Sequence, residues 1–456
     1  MTVAKTRWRD RRVAAHPSSG EPQMLTAAEA AARLGIKLGT LYAYVSRGWL
    51  KSYKRKVGRE TLYRRADIDA MRGVTTPERG RRARSLPDAS SWVTIAQPGG
   101  DDESSGVIVA ESAISSIIDG QLAYRGYPIE ELVEAATFEE VALLLWHGER
   151  PAATAIAALR AEVSRSTLPP AVNSALVAVG SDAAPLLRLQ IMMPALSVSQ
   201  AHNPAPTTLE QAAAILSAMP LAMVNLAGRS ARNASGGLAT VAGRLLYRAL
   251  GEAAEWAHAA TDRILIACAE HELNASTFAA RVVASTGADL HASVLAALCS
   301  LSGPIHGGAC DRIEQMLAEL EGGVRLDALL AGLSSRHLLP PGFGHAIYPK
   351  GDPRAALLKA VAAELARHKG RRLLELAHKI EEAVWKRERL RPNLDFYLTV
   401  CVRMMGFPAS LPAGVFALGR AAGWIAHSLE QYADNRLIRP RMRYHGSHLR
   451  HWAATK

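Results

Sequence analysis

The sequence predicts an all-α body preceded by a small, strongly basic domain. Three observations carry this reading. Aromatic residues make up only 5% of the 456-residue chain while Ala and Leu abound, a composition that leans towards helix. From Trp92 onward, long Ala/Leu-rich segments alternate with short Gly/Pro breaks, and no period-2 run of strand length stands out. The formal charge of +12 resides in residues 1–90, and residues 91–456 balance to zero. The two parts therefore face different partners.

The totals exclude several classes. A hydrophobic fraction of 49% is ample for a large core in two or three domains. The longest apolar stretch, 215–227, is broken by Pro220 and Asn225 and is too short to span a bilayer. No secretory signal is visible, and the four cysteines (Cys268, Cys299, Cys310, Cys401) form no C-x-x-C pair. A zinc site or a disulfide framework is thus not indicated, and a reducing cytoplasm is the expected setting.

The basic front end comes first. Residues 1–23 read as a disordered basic arm. Thr26 and Glu29 form a capping box that opens a short helix closed by Gly35, and a second helix follows from Gly39 to Arg47. In that second helix Leu41 and Val45 are expected to point inward, leaving Thr40, Tyr42, Tyr44 and Arg47 to face out or flank the core. Seven basic residues between Lys51 and Arg65 then flank Gly58, as a hairpin would. This pattern, over residues 24–73, resembles the winged helix-turn-helix of the MerR and excisionase type. The resemblance implies DNA binding through Thr40, Tyr42 and Arg47 on the second helix and Lys51, Lys54, Arg55, Lys56 and Arg59 on the wing. The alternative is a small docking module whose charges are merely solvated. Residues 74–91 have a linker composition.

In the body, Thr137-Phe138-Glu139-Glu140 opens a helix with an acidic first turn. Residues 153–165, 207–226, 236–258, 276–286, 288–301, 310–321, 353–368, 371–389, 394–405 and 413–432 also read as helices. No Gly-x-x-x-x-Gly-Lys phosphate loop occurs.

Three stretches carry chemistry. In Ser302-Gly303-Pro304-Ile305-His306-Gly307-Gly308-Ala309 a histidine stands at a helix break, where backbone N–H groups are expected to be free and glycines to let a ligand approach. Pro341-Gly342-Phe343-Gly344-His345 puts a second histidine behind a Gly-x-Gly turn, and Asp352-Pro353-Arg354 follows with proline suited to the first helical position. Arg391-Pro392-Asn393-Leu394-Asp395 starts a helix with a carboxylate in its first turn. Arg420 lies inside the apolar 416–425 helix, and burying its charge without a partner is costly, so an anionic ligand is the natural solution.

These stretches, with 423–440 and the earlier Ala110–Ile114, Asp119-Gly120 and Tyr124–Tyr127, resemble citrate synthase in order and spacing. The resemblance covers the chain from residue 92 to 456. It implies a helical homodimer with a small lobe, about 308–408, inserted in a large one. It implies condensation of acetyl-CoA with oxaloacetate and water to give citrate and CoA, the entry to the tricarboxylic acid cycle. By motif, Asp395 matches the base that takes the methyl proton and His306 the donor to the thioester oxygen. His345 matches the group that protonates the ketone oxygen, and His271, Arg354 and Arg420 match oxaloacetate ligands. Arg439 matches an arginine lent by the other subunit. No metal or cofactor is implied.

The chain also departs from the family pattern. Cys310 stands where the family usually has Asn, Ala346 where many members have Arg, and Leu339 where some place a CoA-binding Lys, with Arg387, Arg389 and Arg391 as candidate substitutes. Two alternatives share these motifs: a 2-methylcitrate synthase using propionyl-CoA, and a DNA-binding regulator that keeps the enzyme fold as a metabolite sensor.

Overall fold

The computed structural model describes residues 24–34, 36, 38, 41–42, 45, 50, 52–54, 61–65, 67–69, 110–180, 182–200, 207–224, 239–251 and 254–440. Contacts divide the chain at residues 75/76 into two compact units. The arm at 1–23 and the linker at 74–91 lie outside the described residues.

In the front unit, β1 (Met24–Thr26) leads into α1 (Ala27–Leu34), and β2 (Tyr53–Lys54) and β3 (Thr61–Arg64) follow. The strands form an antiparallel sheet of order β1-β3-β2, so the expected hairpin gains a third strand. The capping box is present: the Glu29 carboxylate accepts from the Thr26 N–H at 2.8 Å, and Thr26 Oγ1 accepts from the Glu29 N–H at 3.3 Å. Ala30, Ala31, Leu34, Leu41 and Tyr63 fill the core. Tyr42 stays 52% exposed, as expected of an outward residue.

The body opens on a feature the sequence reading did not anticipate. A three-stranded meander comprises β4 (Ser115–Ile118), β5 (Gln121–Tyr124) and β6 (Tyr127–Pro128). Its two turns, Asp119-Gly120 and Arg125-Gly126, all have positive φ, the left-handed geometry that two-residue hairpins require. Strands this short carry too few alternations to register as a pattern.

Helices then follow without interruption by further strands among the described residues. They are α2 (Ile129–Ala135), α3 (Phe138–His147), α4 (Ala153–Arg165), α5 (Pro170–Ala178), α6 (Pro185–Gln200) and α7 (Thr208–Met223). Next come α8 (Val241–Leu250), α9 (Glu255–Cys268), α10 (Ala275–Ser285), α11 (Leu290–Leu301), α12 (Gly308–Glu321) and α13 (Leu326–Ser335). The last are α14 (Pro353–Leu365), α15 (Arg371–Glu388), α16 (Leu394–Met405) and α17 (Pro412–Asp434). The single helix expected over 236–258 is in fact two: α8 ends at Gly251, whose φ of 83° closes it, and α9 begins at Glu255.

The hydrophobic α17 runs through the centre and is buried from Pro412 to Leu429. It packs closely because three of its positions are glycine. A Cβ at Gly419 would stand 2.7 Å from Leu265 O of α9, and one at Gly423 would stand 2.2 Å from Glu270 Oε2. Helix axes approach this closely only where side chains are absent.

Candidate active site

One cavity of about 210 Å³ lies where the N-terminal ends of five helices, α10, α12, α14, α16 and α17, converge. Helix N-termini present partial positive charge and favour anions. Arg354 and Arg420 add two full charges to the same wall. Lining residues also include His271, His306, His345 and Asp395, so six of the seven residues singled out in the body meet here. Arg439 does not: it lies exposed beyond the end of α17 and is not among the lining residues.

Arg420 donates from Nε to Cys268 O at 2.7 Å and stacks over Phe416 at 4.8 Å, while its Nη1 is buried with no hydrogen-bond partner. An unpaired donor on a buried cation, opening on a cavity, is what an anionic ligand would satisfy. Arg354 is different. Asp352 forks it, accepting from Nε at 2.9 Å and Nη2 at 2.8 Å, so two of its three guanidinium nitrogens are already engaged. The same Asp352 caps α14 and accepts the Leu394 N–H at 3.0 Å, joining the first turns of α14 and α16.

The three histidines are held away from the charged state. Burial, and then Arg420, push His306 down to about 4. Burial and then Arg354 lower His345, and the same two causes take His271 well below the ordinary value. The His345 ring accepts the Ile347 N–H on Nδ1 at 3.2 Å, so its proton is on Nε2, which acts as a donor. His271 Nε2 lies 3.0 Å from Tyr348 Oη, and the His271 and His345 rings meet edge-on at 5.2 Å.

His306 Nε2 lies 2.9 Å from Ser276 Oγ. Ser276 Oγ also accepts from Trp424 Nε1 at 3.2 Å and lies 2.8 Å from Asn274 Oδ1, which is itself fixed as an acceptor by the Thr277 N–H. The one hydroxyl proton therefore goes either to Asn274 or to His306 Nε2. Only in the second arrangement does His306 carry its proton on Nδ1 and present it as a donor.

Asp395, in the first turn of α16, has its own N–H on Asn393 Oδ1 at 3.1 Å. Burial raises its carboxyl above the usual range, against the pull of Arg354 and Arg420.

The helix break around His306 corrects an expectation. Its N–H groups are not free: His306 N donates to Gly303 O at 3.0 Å, Gly307 N to Leu301 O at 2.9 Å and Gly308 N to Gly303 O at 3.3 Å. Gly307, which lines the cavity, is required by packing in any case, since a Cβ there would stand 2.2 Å from Leu301 O. The Gly-x-Gly turn before His345 does need glycine, with φ of 81° at Gly342 and 80° at Gly344.

Ser276, Tyr348 and the fork from Asp352 were not singled out from sequence. Ser276 and Tyr348 act through partners far along the chain, which no local pattern marks, whereas the fork joins Asp352 to Arg354 only two residues away. In the front unit, Tyr42 is exposed and Lys54 contributes backbone to β2. Thr40, Arg47, Lys51, Arg55, Lys56 and Arg59 lie outside the described residues. Among the described residues no helix is long and apolar enough to cross a membrane, and all four cysteines are free thiols.

Comparison with known proteins gives the same picture. Residues 103–441 match the family model described as citrate synthase, C-terminal domain, and residues 24–72 match a helix-turn-helix domain. Citrate synthase of Haloferax volcanii is 37% identical over 358 residues, covering 75% of this chain and 94% of the relative. The 2-methylcitrate synthase of Shewanella oneidensis is 34% identical, covering 75% and 93%. The crystal structure of citrate synthase from Thermotoga maritima superposes with a TM-score of 0.66 at 31% identity, over 76% of this chain and 96% of that one.

Proposed function

This chain belongs to the citrate synthase family, and we propose that it condenses acetyl-CoA with oxaloacetate and water to give citrate and CoA. Condensation of an acyl-CoA with oxaloacetate is common to the named relatives, citrate and 2-methylcitrate synthases alike. The observation that carries the finer reading is the meeting of the Asp395 carboxylate, three uncharged histidines and two arginines in a single cavity.

In this scheme oxaloacetate enters first and its carboxylates meet Arg420, Arg354 and His271. Arg420 supplies the unpaired donor, and the planar guanidinium forks orient a dicarboxylate. The acetyl thioester then sits between Asp395 and His306. Asp395 takes a methyl proton while His306, kept neutral, donates to the thioester oxygen as it gains electron density. The enol carbon attacks the ketone carbon of oxaloacetate, and His345 Nε2 gives its proton to the ketone oxygen. Water then cleaves the thioester, releasing CoA thiol. General acid–base help is typically worth about 10²–10⁴-fold and one aimed donor about 10²–10³-fold, which suits a weakly acidic carbon. The side chains carry this scheme without a cofactor.

In this reading Arg439 completes the other subunit's site in a homodimer. Mixed and reassembled Asp395→Ala and Arg439→Ala proteins, each inactive, should then recover roughly a quarter of wild-type turnover through heterodimers with one intact site. No recovery removes the shared-site assignment.

Release of free thiol should appear with acetyl-CoA and oxaloacetate and vanish in Asp395→Ala. One extra methylene in the pocket is worth only about 1–3 kcal/mol, so propionyl-CoA is run beside it. Faster turnover with propionyl-CoA would make this a 2-methylcitrate synthase, and no turnover with either would defeat the enzyme reading.

The helix-turn-helix match and the exposed Tyr42 support a second role for the front unit, binding of DNA. Removal of residues 1–75 should leave turnover intact and abolish salt-sensitive retention on DNA. Full-length protein that shows no retention at low salt would make the front unit a docking module.

A further inference from the structure

Cys310 lies in the first turn of α12, four residues beyond His306, and lines the same cavity at 2% exposure. Its Sγ stands 3.8 Å from Asp395 Oδ1 across the gap between α12 and α16. The remaining hydrogen bonds of Asp395 among the described residues use its backbone: the N–H goes to Asn393, and the C=O accepts from Thr399 Oγ1 at 2.8 Å. The thiol is therefore the neighbour that touches the carboxylate itself.

We propose that Cys310 is a positioning residue for the base: its S–H donates to Asp395 Oδ1, fixing the carboxylate's rotamer and setting how readily it accepts a proton. The assignment rests on Asp395 being the base. Geometry gives the direction of the bond, since an ionised carboxylate only accepts. Burial, followed by the nearby Asp395 charge, keeps the thiol protonated well above its ordinary range, so it remains a donor at working pH.

The consequence lies in the weakness of the donor. A hydrogen bond to the ionised form of an acid lowers its proton affinity, and a stronger donor lowers it further. An S–H group is a poor donor. It holds the carboxylate in place while leaving it more basic than a hydroxyl or amide donor would. A base that must remove a proton from carbon benefits from that arrangement, because efficiency rises with basicity until the base is no longer ionised at working pH.

The test is the acid limb of the pH profile of kcat/KM for acetyl-CoA, measured in wild type, Cys310→Ala, Cys310→Ser and Cys310→Asn. Loss of the donor in Cys310→Ala should move the limb up by roughly half a pH unit, and the stronger donors in Cys310→Ser and Cys310→Asn should move it down by up to about one unit. Cys310→Ser is nearly isosteric and keeps the comparison available if the alanine variant fails to fold. Limbs that coincide in all folded variants, with differences confined to melting temperature, overturn the proposal and leave Cys310 a packing residue. Absence of turnover in wild type instead removes the parent reading of Asp395, a separate result.

Discussion

Replacing Ser276 with alanine tests the site at the atom on which its hydrogen bonding turns. The substitution deletes one oxygen that is bonded to three groups: His306 Nε2, Trp424 Nε1 and Asn274 Oδ1. Trp424 is fully buried, so its N–H loses its acceptor with no water to replace it, at about 1–3 kcal/mol of stability. The effect on turnover comes from His306. The proposed donor role of His306 requires that Ser276 turn its proton from Asn274 Oδ1 to Nε2, which holds the ring's proton on Nδ1; without Ser276 the ring is free to carry the proton on Nε2 and face the thioester with a lone pair. Complete loss of one aimed donor costs about 10²–10³-fold in kcat, and partial population of the wrong tautomer should cost about tenfold to a hundredfold. Steady-state release of CoA thiol, read together with thermal melting, separates the two effects. A kcat within twofold of wild type, alongside the expected drop in melting temperature, would refute the assignment of the His306 tautomer to Ser276.

Three further outcomes follow from the same structure. Oxaloacetate at a hundredfold excess over its Kd should stabilise wild type by about 2.7 kcal/mol, and this gain should be largely lost in Arg420→Gln, as thermal shift will show. Gly342→Ala puts a Cβ 2.8 Å from that of Phe396 at a φ of 81°, so it should cost about 2–4 kcal/mol and reduce turnover by displacing His345; a melting curve within a degree of wild type would contradict it. Burial, and then the charge of Asp262, raise the carboxyl of the fully buried Glu139. A raised carboxyl contributes fully below its unfolded value of about 4.3 and loses that contribution as pH rises, so Glu139→Gln should melt higher than wild type at pH 8 and equally at pH 4. An unchanged difference between the two pH values would show that Glu139 does not titrate in this way.

The helices that the sequence placed were legible because their signals are local, whereas α2, α5, α6, α13 and most of α9 were not placed. Ala153–Arg165 falls where the Ala-rich run places it, and Asn393, Asp352 and Thr137 act as the caps that their positions before helical runs suggest. Six cavity residues were legible for a different reason, since motif order brings them together even though spacing alone does not. What escaped depends on contacts distant in sequence. Ser276 meets His306 across 30 residues and Trp424 across 148, and nothing around Ser276 marks it out. The packing demand on Gly307 escaped because the clash that requires glycine is with Leu301 O, an atom brought close only by the folded-back break. The meander was missed because strands of two to four residues leave no period to detect.

Asp352 spans two jobs. It grips the guanidinium of Arg354 and anchors the backbone of Leu394, the residue immediately before Asp395. A keto acid that draws Arg354 towards itself competes with that grip, and the strain passes along one carboxylate to the first turn of α16. In the proposed scheme this would link the arrival of one reactant to the seat of the group that activates the other. On the reading proposed above, the order of loading then runs through a single side chain, since the carboxylate that the keto acid would disturb also seats the residue proposed to remove the proton.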